Sequence, residues 1–198
     1  FTAAGIILGV VMLPRIRKHL DAEHLCKGSV LGVMVFLAYW SNSTGLTDTT
    51  ASNSSFLTSL YCVIIPFLGW ALRGPRPTRF NLAAAMVCVA GVECVSFAGA
   101  DGFSLRFGDL VTLLSALFLS FHVVYTAKFA PGSDMTLLTV IQFLVAGLLG
   151  LAAGLALEPM PNFAALGADT WTSLAYLAVF ASCVALLLQN LAVAHVDP

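Results

Sequence analysis

Residues 136–157 read TLLTVIQFLVAGLLGLAAGLAL and carry no charged side chain. An α-helix needs roughly 20 such residues to cross the hydrocarbon core of a bilayer. No water is available there, so every backbone N–H and C=O must be satisfied inside the segment, and a continuous apolar run does this as a helix. Five further runs of similar character occupy 28–46, 52–72, 80–98, 108–128 and 171–194. Residues 1–13 (FTAAGIILGVVML) are also purely apolar. They fall short of a full span, and no basic start of the signal-peptide kind precedes them. The expectation is an all-α integral membrane protein of about seven transmembrane helices, the first already under way at Phe1.

Composition agrees. Of the 198 residues, 59% are hydrophobic and 10% charged, whereas soluble domains carry about a quarter charged residues. Mean hydropathy is +0.94. The net charge of -1 and pI near 6.4 provide no basic field, which argues against nucleic acid as a partner. Cys26, Cys62, Cys88, Cys94 and Cys183 form no CxxC, and four of them lie within apolar runs. Neither a disulfide framework nor a zinc site follows, and no cofactor is implied.

Cytoplasmic loops retain Lys and Arg, which orients the chain. Arg15, Arg17, Lys18 and Lys27 follow the first helix, Arg73, Arg76 and Arg79 the third, and Lys128 the fifth, so these connections share the cytoplasmic side. The opposite side has Arg106 with Asp48, Asp101, Glu158 and Asp169. The expected location is the plasma or inner membrane, as a multi-pass protein.

At a shift of about 148 residues the chain overlies itself, AYWSNSTGLTDTT (38–50) on LLLQNLAVAHVDP (186–198), with Asn42 on Asn190. Two related halves are expected, 1–98 and 99–198. With about five helices per half, the second half enters the membrane in the opposite sense, as an inverted repeat. On this register the expectation is that about 40 residues, including a helix, precede Phe1 and that about 50 residues, with two helices, follow Pro198.

Four stretches carry a resemblance: GLTDTTASNSSFLTSLYCVIIPFLGWALRGPRPT (45–78), GDLVTLLSALFLSFHVVYTAKFAP (108–131), VIQFLVAGLLG (140–150) and AVFASCVALLLQN (178–190). Together they resemble the EamA-type drug/metabolite transporter superfamily. The most specific feature is the helix containing Pro66, followed by a short basic loop with Gly74, Arg76 and Pro77. That loop departs from the family pattern at Pro75, where a glutamate is typical, so an ion pair made by that acid is missing. The resemblance implies a ten-helix carrier with a central cavity for a small metabolite such as an amino acid or amine.

Polar residues within the spans are the candidate site. Ser55, Thr58, Ser59, Cys62, Pro66 and Gly69 recur at helical spacing and form one small, polar face. Pro66 removes a backbone hydrogen bond, kinking the helix and releasing the Cys62 carbonyl. Tyr39 and Asn42 share a face with Gly28 and Gly32, whose own role is close helix packing. The same packing role falls to Ala146, Gly150 and Gly154. Thr112, Ser115, His122 and Thr126 cluster on one side of 108–128, and His122 is the principal ionisable candidate for solute or proton binding. Glu93 lies about five residues, roughly 7–8 Å, from the outer end of its helix and is a second ion-coupling candidate. Packing of small residues and a histidine bonded to a neighbouring helix are the plain alternatives, at even weight. His19, Asp21, Glu23 and His24 lack a metal-ligand spacing, and a solvated loop outweighs a metal site there.

The expected solute site therefore comprises Tyr39, Asn42, Ser55, Thr58, Ser115, His122, Gln142, Ser182 and Gln189, converging on a central alternating-access path. The partners are a small polar solute and the lipid bilayer, with a homodimer as a further arrangement. A seven-helix receptor or retinal protein is the alternative, but 171–194 contains no lysine for retinal. An intramembrane enzyme lacks a nucleophile motif such as GxSxG.

Overall fold

The structure, a computed structural model, describes residues 1–14, 20–72, 76–98, 106–157 and 167–193, without the side chains of 92, 93 and 95–98. Its elements are α1 (Thr2–Val11), α2 (Ala22–Gly45), α3 (Ala51–Ser59), α4 (Tyr61–Ala71), α5 (Arg79–Ala98), α6 (Phe107–Phe129), α7 (Met135–Leu157), α8 (Ala168–Tyr176), a π-helical stretch (Leu177–Val184) and α9 (Ala185–Val193). The described residues contain no strand. α3 continues into α4, and α8 into the π stretch and α9, so the described residues form seven rods. Four rods, 51–71, 107–129, 135–157 and 168–193, are each long and apolar enough to cross a membrane. α1 and the 79–91 part of α5 are shorter apolar helices. α2 has 24 residues, but its last two turns are the polar run Tyr39 to Thr44.

Two rods are interrupted. Between α3 and α4, the N–H of Leu60 donates to the carbonyl of Leu57 at 3.2 Å, a tight three-residue turn. Pro66 lies further on, inside α4. In the last rod the π stretch widens the helix, and the Ser182 hydroxyl donates to the Leu177 carbonyl, five residues back, at 3.0 Å.

The chain forms two compact units, Phe1–Phe36 with Thr126–Asp197, and Leu37–Tyr125, each drawing on both halves of the sequence. In the first unit, α1 packs against α7 and the π stretch, and α9 packs against α7. Ala4, Leu8, Val140, Phe143, Cys183 and Leu186 form its core. Without a hydrophobic driving force between helices in lipid, close backbone approach supplies the packing energy, and small residues permit it. A Cβ on Gly28 would stand 2.7 Å from Ile141 Cβ, and one on Gly32 2.7 Å from Val145 Cβ, so α2 and α7 touch along this stripe. The expected stripe on α7 behaves differently. Ala146 is buried, whereas Gly150 and Gly154 have nothing within 4 Å of an added Cβ.

The same unit joins the start of α2 to the turn before α7. His24 Nδ1 lies 2.6 Å from the Asp21 carboxylate, and the Asp134 N–H donates to His24 Nε2 at 3.2 Å. Lys27 donates to Ser133 Oγ at 3.0 Å and pairs with Glu23 at 2.6 Å. Both ring nitrogens of His24 are thus engaged within the protein, and the described residues contain no metal-binding cluster. His19 lies outside the described residues.

In the second unit, the end of α2 meets the start of α6. A Cβ on Gly45 would strike Thr112 Oγ1 and come within 2.7 Å of the Gly108 carbonyl. Asp48 accepts from the Gly108 N–H at 3.1 Å. Asp109, buried at this end, accepts from Thr49 Oγ1 at 2.5 Å and from the Arg106 N–H at 3.0 Å. Asp48, in the turn after α2, and Asp109, in the first turn of α6, therefore tie the two helix ends together.

Candidate functional site

The short connection between α2 and α3 positions the polar cluster of the second unit. Thr50 caps α3, its hydroxyl accepting from the Asn53 N–H at 3.2 Å. The chain reverses over a few residues, so Asn42, one turn before Gly45, faces the first turns of α3. Its Nδ2 donates to Thr58 Oγ1 at 2.7 Å and to Ser54 Oγ at 3.3 Å. Asn42 and Thr58, predicted separately on two helices, are thus brought together. Ser54, absent from the predicted set, is 2% exposed. Ser55 is exposed instead and donates to the Ala51 carbonyl of its own helix at 2.8 Å. Tyr39 is 44% exposed.

α6 supplies the second polar face. Asp109, Thr112, Ser115, Ser120 and His122 are all buried on it. The Thr112 hydroxyl donates to the Gly108 carbonyl at 2.8 Å, and Ser120 to the carbonyls of Ala116 at 2.8 Å and Tyr61 at 3.3 Å. Ser120 thereby ties α6 to the first turn of α4, just past the Leu60 interruption. Ser115 differs from these. It is 1% exposed, and its hydroxyl has no hydrogen-bond partner among the described residues. Burying an unsatisfied polar group costs about 1–3 kcal/mol, so such a group requires an explanation. Ser115 lies one turn inward from the Gly45–Thr112 crossing on α6, and Asn42 lies one turn inward on α2, which places them at similar depth. His122 follows two turns deeper and is fully buried.

The first unit has its own polar pair. Asn190 Nδ2 donates to Thr139 Oγ1 at 2.9 Å, and Thr139 in turn donates to the Met135 carbonyl at 2.7 Å. Gln142, one turn along α7, is fully buried. Of the predicted residues on the last rod, Gln189 is half-buried and Ser182 is bonded to its own helix. The buried amide there is Asn190, which the repeat had aligned with Asn42. The side chain of Glu93 lies outside the described residues.

Apolar rods of membrane length, with amides and hydroxyls buried between them, define an integral membrane protein of several spans. The sequence pattern of the EamA-like transporter family matches residues 1–97 and 106–198, and the chain belongs to that family. It is 28% identical over 163 residues to a protein of Archaeoglobus fulgidus described as an uncharacterized transporter. The match covers 82% of this chain and 51% of that relative, so the chain spans about half the relative's length. No solved structure matches the chain.

Proposed function

We propose that the protein carries a small polar metabolite across the membrane by alternating access, and that the second unit holds part of its solute site. One observation carries this reading: the buried, unpartnered hydroxyl of Ser115 at the depth of the Asn42–Thr58–Ser54 cluster. Amides and hydroxyls can exchange hydrogen bonds between one another and a solute without a net charge crossing the bilayer. His122, deeper on the same face of α6, supplies an ionisable group through which proton concentration can influence transport. The interruption at Leu60 lets α3 move relative to α4, and Pro66 leaves the Cys62 carbonyl without its usual helical donor.

The family and the transporter relative support membrane transport in general terms. In this proposal, halves 1–98 and 99–198 are the two repeats, with the helical repeat at 148 residues as support. The test is a screen of amino acids, amines and related metabolites against the full-length protein in liposomes, with and without an imposed pH gradient. The proposal expects saturable uptake of at least one polar solute that responds to the gradient. Failure of every solute, in protein shown to be folded, counts against it.

A further inference from the structure

An apolar cleft of about 370 Å³ opens between α4 and α5, lined by Val63, Phe67, Ala85, Met86, Val89 and Ala90. It is separate from the polar cluster, and its side chains offer a polar solute no hydrogen bond. Its volume is within the range of small-molecule sites, roughly 300–1,000 Å³. Two of its walls, Met86 and Val89, are 63% and 43% exposed. In a bilayer such a cleft is filled by hydrocarbon.

The charge at its mouth selects which lipid. On the helical repeat, Arg79 shares a stripe with Met86 and Ala90, seven and eleven residues along, so it lies roughly 10 Å toward the cytoplasmic end from Met86. Arg76 lies just before α5, separated from it by Pro77 and Thr78. Both arginines are exposed, and neither forms an ion pair among the described residues. The anionic lipids of the cytoplasmic leaflet attract basic side chains at this level. Trp70, half exposed and one turn beyond Phe67 on α4, supplies the aromatic residue that favours the membrane interface.

We infer that this unit binds an anionic phospholipid, with an acyl chain in the α4–α5 cleft and the phosphate held by Arg76 and Arg79. The two contacts reinforce one another because the chain direction of the lipid matches the arginine-to-cleft direction along α5.

The experiment equilibrates the full-length protein with equal phosphatidylglycerol and phosphatidylcholine, extracts it, and quantifies retained lipid by mass spectrometry. Phosphatidylglycerol should be enriched over phosphatidylcholine. Arg79→Gln should cut that enrichment roughly fivefold, the contribution of one basic side chain at an anionic surface. Ala90→Trp, at an exposed position, should fill the cleft and lower retention of both lipids. Glycerol phosphate, which has the headgroup charge without the chain, should not displace the lipid. Equal retention of the two lipids by the wild type overturns the assignment. So does unchanged enrichment in Arg79→Gln, unchanged retention in Ala90→Trp, or displacement by glycerol phosphate.

Discussion

Alanine at Gly45 tests whether the ends of α2 and α6 are as close as the structure places them. The new methyl would meet Thr112 Oγ1 and lie 2.7 Å from the Gly108 carbonyl, where ordinary contact begins at 3.4 Å. The two helix ends must therefore part by at least about 0.7 Å, an overpacking displacement that costs roughly 1–3 kcal/mol. The same movement stretches the Gly108 N–H···Asp48 bond, now 3.1 Å, and removes up to about 1 kcal/mol more. Against this, alanine gains about 1 kcal/mol over glycine in helix propensity. A net loss of up to about 3 kcal/mol results. Gly69→Ala is the matched control. An added Cβ there has nothing within 4 Å, so the propensity gain of about 1 kcal/mol stands unopposed. Unfolding of the full-length protein in detergent, by heat or by SDS titration, reads both variants. Equal stability of Gly45→Ala and Gly69→Ala would refute the close crossing.

A double-mutant cycle of Asn42→Leu with Thr58→Val should return a coupling of about 0.6–1.7 kcal/mol in SDS unfolding, the range for hydrogen bonds between membrane helices; no coupling would mean the two side chains do not meet. Asp109→Ala removes the acceptor shared by Thr49 and the Arg106 N–H, and a loss of about 1–3 kcal/mol is expected in the same measurement. The Asp21 carboxyl is held below the usual carboxylate range, first by the His24 backbone N–H and then by the His24 side chain. Because the folded-state value is depressed, its stabilisation is full above the ordinary carboxylate range and fades as pH falls through the lowered value. Thermal melts across the acid range should show this small loss in the wild type, with a flatter acid limb in Asp21→Asn.

The rods were legible because length and apolarity suffice to specify a membrane helix. Which side of a rod turns inward was less so. The spacing of Ser55, Thr58 and Ser59 identifies a face, but the neighbours decide its direction, and Asn42 selects Ser54 and Thr58. The π stretch 177–184 reads LAVFASCV, an apolar run with no breaker, so nothing local distinguishes it from an α-helix. The break at Leu60 is similarly silent, while Pro66, the residue that advertises a kink, lies inside a continuous helix. Asp48 looks like a solvated loop acid until the fold brings α2 and α6 together. Asn190 was marked by the repeat rather than by its own surroundings, and it is the buried amide of its rod.

The central claim is that the polar cluster around Asn42, Ser115 and His122 binds the transported solute. Its most direct test is initial uptake by full-length variants in liposomes, normalised to membrane-inserted protein, using the best solute from the screen. Asn42→Ala, Ser115→Ala and His122→Ala should each lower uptake by about tenfold or more, the effect of losing roughly 1.4 kcal/mol of binding, and His122→Ala should also blunt the response to a pH gradient. Phe56→Leu should transport as the wild type does. Wild-type uptake by all three cluster variants would contradict the account and leave these side chains as packing alone.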